Sequence, residues 1–310
     1  MHGVLIVDKP AGPTSHDVVV AMRKALREKK VGHTGTLDPV ATGVLPLVLG
    51  DGTKIARYLT GHDKTYRATV CLGITTDTHD TAGRVVAEHP VEVSETAVRE
   101  ALASFRGEIE QVPPMYSAKK VQGQKLYELA RQGVEIERES KRVTIHTLEV
   151  IEVALPDVTL ELRCSAGTYV RVLAYDLGQK LACGAHLKEL RRLAVGSFTL
   201  ADAVGLEAAI DDPELAKSRI ISLDRALIGI PRIDLPSHVA RLIASGYQLS
   251  VADLRTLDTP TFANDTVLTL GVDGGGVVAV ARSLLASEEL GRSRRDRQAV
   301  KTERVLAQPR

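Results

Sequence analysis

The chain has 310 residues, 44% hydrophobic and 25% charged, with a formal net charge of +1. That length suggests about two domains, and the composition is that of a globular protein with a sizeable aliphatic core, not a disordered or collagen-like chain. Three cysteines without a CxxC pair argue against a zinc framework, and no apolar run approaches the ~20 residues of a membrane span.

The N-terminal apolar run is too short for a secretory leader, and unpaired cysteines suit a reducing compartment, so the expected localisation is cytoplasmic. The positive charge is clumped: "MRKALREKK" (22–30), "SAKKVQGQK" (117–125), "HLKELRR" (186–192) and "GRSRRDR" (291–297). Such clumps can build a basic face on a neutral protein, or simply form solvated helix faces.

In chain order, "GVLIVDKPAGPTS" begins as a short strand, 4–7, and ends in a Pro/Gly turn. "TSHDVVVAMRKALREKK" reads as a helix, with Thr14 and Asp17 at capping-box spacing and Val18, Met22, Ala25 and Leu26 on one face. "KTYRATVCLG" (64–73) alternates like a strand. "SETAVREALASFRG" (94–107) is a helix capped by Ser94 and stopped by Gly107. From 111 to about 141, prolines, glycines and lysines surround one short predicted helix, 124–132, in an irregular basic excursion. Segments 142–153 and 157–165 read as paired strands, the second with Val158, Leu160, Leu162 and Cys164 inward. A helix follows over 167–184. Near 230 two prolines mark a linker or domain entry, then come a helix at 237–245 and two Val-rich strands joined by "DGGG", a hairpin signal. The last twenty residues are polar and basic, and are expected to be mobile.

One loop stands apart. "VGHTGTLDPVATGVLPL" (31–47) has neither helical nor strand period, yet carries a single carboxylate, Asp38, among glycines and threonines. It is no phosphate cradle, because it lacks GxxxxGK[ST] and its only charge is negative. One Asp and one His make a poor metal site. A plain turn, with Asp38 bonding backbone amides before Pro39, remains a fair reading of the loop alone.

The loop resembles the nucleophile motif of the pseudouridine synthases, and the chain resembles the TruB family of bacterial tRNA pseudouridine-55 synthases. "GVLIVDKPAGPTSHD" is similar to that family's N-terminal motif and "DKTYRATVCLGITTDTHDTAG" to its tyrosine motif. "VPPMYSAKKVQGQKLYELARQG" is similar to its RNA-gripping excursion, and "CSAGTYVRVLAYDLGQKLACGAHLKELRRLAVG" to its later active-site segment. These motifs span most of residues 3–199 in the family's order. The C-terminal third departs more: it sits where the family carries a PUA-like RNA-binding domain but shows no sharp motif.

The resemblance implies a mixed α/β (α+β) pseudouridine synthase fold: a large, mostly antiparallel mixed sheet flanked by helices. It implies a catalytic domain over 1–230 with a thumb-like excursion at 111–142, a PUA-like domain over 231–290, and a basic tail, 291–310. It implies isomerisation of uridine 55 in the tRNA T stem-loop, by base flipping and an aspartate-dependent exchange of glycosidic bonds. Asp38 becomes the catalytic nucleophile. Tyr66 stacks on the extruded base, Tyr169 touches substrate, and Arg171 pairs with Asp38. His33 contacts RNA and Leu190 lines the pocket. Lys9 meets a phosphate or supports the floor, and Lys119 and Lys120 grip RNA. The reaction is redox-neutral, so no cofactor and no metal are expected, and the enzyme is expected to work as a monomer without a protein partner or membrane. Two other readings fit the same fold: a non-catalytic RNA-binding or tRNA-folding protein, and a guide-dependent synthase subunit.

Overall fold

The computed structural model describes residues 1–117, 120–121, 124–126, 129, 133–134 and 136–306. Its centre is a large mixed sheet. From one edge the strands run 204–205, 3–9, 42–49, 185–195, 64–72, 157–164, 141–154 and 107–111, with 31–33 also paired to 42–49 and 198–199 to 185–195. Only 3–9 with 204–205 and 42–49 with 185–195 pair in parallel, so the sheet is mixed and mostly antiparallel, as the resemblance implies.

The run "VLIV" is apolar at every position because both faces of its strand are covered. Leu5 and Val7 enter the main core with Leu45, Leu47 and Leu49. Val4 and Ile6 turn to the other face and pack with Val44, Val48, Leu59, Val277, Val280 and Leu306. By contrast Val158, Leu160, Leu162 and Cys164 all point into the main core, and the residues between them are more open to solvent, so the predicted alternation holds.

The helix Ser15–Leu26 has the predicted capping box: the Asp17 N–H donates to Thr14 Oγ1 at 3.1 Å and the Thr14 N–H to Asp17 at 2.8 Å. Two other helices are shorter than their patterns. Glu95–Ala103 stops before Phe105, and Gly107, at φ +88°, opens a strand instead of ending a helix. The helix Val170–Lys180 starts later than its pattern, after a turn at 166–167 with Gly167 at φ +89° and with Tyr169 as an extended N-cap. Of the predicted helix at 124–132, Gln124–Lys125 instead pair as a strand with Lys120–Val121, and most of the rest lies outside the described residues.

The C-terminal part is a four-stranded sheet in the order 232–235, 267–272, 277–283, 300–305, backed by the helix Ser237–Ala244. The "DGGG" hairpin is present, with Gly274 at φ +64°. The proline-flanked segment near 230 enters this sheet directly as its strand Arg232–Leu235. One expectation is corrected. The supposedly mobile tail supplies Val300–Val305, which pairs along 277–283. Its Glu303 binds Arg57 and accepts from Tyr58 at 2.6 Å and Arg282 at 2.8 Å, and buried Leu306 joins the shared core. The polar pattern of "VKTERV" hides this strand, because its charges serve an interface between parts of the chain.

Candidate active site

The loop from Thr34 to Ala41 has no ladder of its own, so its backbone groups find other partners. Three buried side chains supply them. Ser15 clamps Leu37 from both sides: its hydroxyl accepts from the Leu37 N–H at 2.8 Å and donates to the Leu37 carbonyl at 3.0 Å. Lys9, fully buried, donates to the carbonyls of Ala41 at 2.7 Å, Pro10 at 2.9 Å and Pro39 at 3.2 Å. Arg192, 1% exposed, donates to Val44 at 2.7 Å, Gly35 at 3.1 Å and Thr36 at 3.2 Å. Gly43, at φ +101°, lies against the Arg192 backbone so closely that any Cβ would collide with its carbonyl. The loop is shaped by two cations underneath it, and Asp38 is displayed on its upper side.

Above the loop is a cavity of about 260 Å³, whose wall includes Asp38, Tyr66, Tyr169, Arg171 and Leu190. These five expected residues come from four separate segments. The Arg171 guanidinium lies 3.3 Å from the Asp38 carboxylate. It also lies 3.3 Å from Asp80, whose side chain is 4% exposed, and donates to the Tyr116 carbonyl at 2.6 Å. Arg171 thus bridges the loop, the segment after the tyrosine strand, and the start of the basic excursion. Tyr169 is held through its backbone by the buried amide of Gln111, which accepts from its N–H at 2.9 Å and donates to its carbonyl at 3.2 Å. Lys64 and Arg192 line the same cavity.

Asp80, Arg192, Lys64, Gln111 and Ser15 are functional neighbours that sequence reasoning missed. Asp80 has a faint signal: its "DTHD" lies inside the tyrosine motif, and its "TAG" turn is fixed when the carboxylate accepts from the Ala82 N–H at 3.0 Å. Arg192 is hidden inside a run that also carries exposed basic residues.

Other expected residues lie elsewhere. Lys9 is 0% exposed beneath the loop, with its amine donating to the carbonyls of Pro10, Pro39 and Ala41, an arrangement that favours support of the floor over contact with a phosphate. His33 is on the short strand Val31–His33, outside the cavity wall, with its Nδ1 accepting weakly from the Gly35 N–H at 3.4 Å. Burial, then Arg192, lowers its pKa, favouring the neutral ring. Lys119 is outside the described residues, and Lys120 is in the short strand pair.

The electrostatics suit a reactive carboxylate. Asp38 opens to the cavity on one side, yet burial on the others pushes its carboxyl pKa up, against the pull of Arg171, Lys9 and Arg192 and with added push from Asp80. Burial also raises the Tyr66 phenol, partly offset by the Arg192 guanidinium. Burial draws the Lys9 amine down to about 8. Three consequences of the raised Asp38 pKa can be measured. The acid limb of the pH–rate profile is expected to have its midpoint above the usual Asp value of about 3.9. Because the folded pKa exceeds the unfolded one, ionised Asp38 costs stability once the pH rises above the unfolded value. Asp38→Asn should therefore melt no lower than the parent at neutral pH, and the gap should narrow on acidification through the folded pKa. A variant melting clearly lower at neutral pH would show that the carboxylate stabilises the fold.

Known proteins resemble this chain along most of its length. A family model described as the TruB family pseudouridylate synthase N-terminal domain matches residues 23–170, and one for the tRNA pseudouridylate synthase B C-terminal domain matches 171–228. A tRNA pseudouridine synthase B from Syntrophus aciditrophicus (strain SB) is 44% identical over 308 residues, 99% of each chain. One from Azoarcus sp. (strain BH72) is 50% identical over 248 residues, covering 80% of this chain and 83% of the relative. Among solved structures, a Cbf5-Nop10-Gar1 complex contains a chain that superposes with a TM-score of 0.78 at 26% identity, covering 98% of this chain and 85% of that one. Matched by its family models from residue 23 to 228 and by a relative along nearly its whole length, the chain belongs to the TruB family of pseudouridylate synthases.

Proposed function

We propose that the protein isomerises uridine to pseudouridine at position 55 of the tRNA T loop. The observation that carries this reading is the Asp38 carboxylate, ion-paired to Arg171 inside a cavity that also holds Tyr66. The reaction breaks the C1′–N1 bond, turns the uracil, and forms C1′–C5; C5 loses its proton and N1 gains one, so no net redox change occurs. The ribosyl centre becomes electron-poor as the first bond breaks, and a fixed carboxylate stabilises or attacks it. A base inside folded RNA has to be flipped out to reach such a site. Among the described residues the cavity wall carries Lys64, Arg171 and Arg192 and one carboxylate, Asp38, with Asp80 behind Arg171; the balance is positive and suits an anionic nucleotide. Tyr66 offers a stacking face for the detached base.

In this reading residues 1–230 form the catalytic domain, 111–142 grip RNA as a thumb, with Lys119 and Lys120 meeting phosphates, and 231–290 add RNA contacts as a PUA-like domain. His33 contacts RNA at the cavity's flank. The enzyme works as a monomer in the cytoplasm, needing tRNA but no protein partner. Among the described residues no helix is long and apolar enough to cross a membrane.

The decisive experiment is purified protein with unmodified tRNA transcript, followed by pseudouridine mapping. Modification at position 55 without added protein or RNA is expected. Activity only with a guide RNA would favour the guide-dependent reading, and tight binding without product would favour a folding protein. Tyr66 gives a finer test. If the ring only stacks, Tyr66→Phe should stay within a few-fold of parental turnover while Tyr66→Leu falls sharply, base–aromatic stacking being worth about 1–3 kcal/mol. An inactive Phe variant would assign the hydroxyl a chemical step, and an active Leu variant would remove Tyr66 from the mechanism.

A further inference from the structure

The helix Ser15–Leu26 ends beside the strand that leads into the Asp38 loop, and its end carries "RKALREKK", residues 23–30. Five cations, Arg23, Lys24, Arg27, Lys29 and Lys30, stand there against one carboxylate, Glu28. All five are exposed. None of them has a salt bridge among the described residues. The other basic residues of the domain's surface are often neutralised: Arg67 by Glu161, Arg163 by Asp63, Lys188 by Asp157 and Arg191 by Asp8. Glu28 is itself engaged by the Lys30 N–H at 2.9 Å.

A helix C-terminus welcomes cations, which accounts for Arg23 and Lys24 in its last turn. It does not account for Arg27. That residue caps the helix in the left-handed conformation, φ 52° and ψ 35°, where glycine is the unstrained choice. A long cationic side chain is kept at a position whose backbone disfavours it, and such an outlier points to a use for the side chain. The surface here is a groove lined by Val20, Arg23, Lys24, Arg27, Glu28 and Lys29. It is also held firmly: Arg23 donates to the Val31 carbonyl at 2.6 Å, and the Lys30 carbonyl accepts from the Gly50 N–H at 2.8 Å.

We propose that this helix end is a phosphodiester-binding surface that grips the backbone of the substrate RNA outside the cavity. The occupant's identity rests on the proposed function; the charge and the strain do not. Uncompensated cations at the far end of the helix whose first residue, Ser15, clamps the catalytic loop complement a polyanion that extends well beyond its flipped nucleotide, and neutralised phosphates release counterions on binding. Arg23 is left out of the test because it also holds Val31.

Two variants test the proposal, read by tRNA affinity across a KCl series, melting temperature, and steady-state kinetics. Arg27→Gly relieves the left-handed strain while removing the cation, so melting should stay level or rise while tRNA affinity falls several-fold. Lys24→Ala, Arg27→Gly, Lys29→Ala and Lys30→Ala together should weaken binding at least about tenfold near 0.1 M salt. The log–log salt slope should shrink by about 0.9 for each duplex phosphate that is no longer neutralised, and the kinetic effect should fall on KM more than on kcat. Unchanged affinity and slope in the fourfold variant would overturn the proposal. So would an unchanged RNA slope together with abolished adsorption to vesicles of anionic phospholipid, which would reassign the patch to a membrane surface. If the parent binds tRNA but forms no pseudouridine, the functional reading fails while the salt-slope test of this surface still stands.

Discussion

Asp38→Asn is expected to reduce pseudouridine formation by at least about 10³-fold while tRNA affinity stays within about tenfold, roughly 1.4 kcal/mol. The separation follows from where each function resides. The carboxylate faces the cavity, paired to Arg171, and its loop is shaped from below by Lys9, Arg192 and Ser15. An amide of the same shape leaves those supports intact. It removes the negative charge that answers the electron-poor sugar, and it is a far poorer nucleophile. Affinity comes mainly from phosphate contacts spread over a wide surface, which a single amide does not disturb. Single-turnover mapping with filter binding separates the two quantities. Substantial turnover by the variant would remove Asp38 from the chemistry.

Replacing Arg171 by Met is expected to injure both activity and stability. Its guanidinium, 6% exposed, serves Asp38, Asp80 and the Tyr116 carbonyl together. Without it, the buried Asp80 carboxylate loses the ion-pair partner it has among the described residues, and breaking such a pair typically costs about 3–5 kcal/mol. Asp38 loses the strongest influence holding its pKa down, so any residual activity should show an acid limb displaced further upward. Turnover should fall by about 10²–10³-fold. Arg171→Lys keeps a charge but not the planar fork, so it should fall between parent and Met. A Met variant with normal melting and an unmoved acid limb would show that the bridge is incidental.

The sequence pattern reaches some parts of this molecule and not others, for physical reasons. The helix at 15–26 is legible because a capping box and a buried face are local signals. The strands at 141–154 and 157–164 are legible because one face alternates. Asp38, Tyr66, Tyr169, Arg171 and Leu190 are named through motif resemblance, and the fold brings them to one cavity. Asp80 and Gln111 escape because their importance is a tertiary fact: each is meaningful only beside Arg171 or Tyr169, 91 and 58 residues away. Lys9 stays ambiguous in sequence between phosphate binding and support, since a lysine's spelling does not tell whether its amine reaches water or carbonyls. The strand at 300–305 is hidden because its charged residues look like a solvated tail until Arg57, Tyr58 and Arg282 are placed around Glu303.

The two-faced strand Gly3–Lys9 bears on how this protein can be cut or recombined. Its Val4 and Ile6, with Val44, Val48 and Leu59, are covered in part by Val277, Val280 and Leu306 from the far end of the chain. A truncation after residue 230 would strip that cover from an aliphatic surface next to the catalytic loop. The shortened chain would be sticky and prone to self-association. Swapping the C-terminal sheet for that of a relative would likewise succeed only if the replacement carried apolar side chains at the same three places and an acid to meet Arg57. The modular look of the sequence thus conceals a shared keel, built by strands that stand about 270 residues apart in the chain.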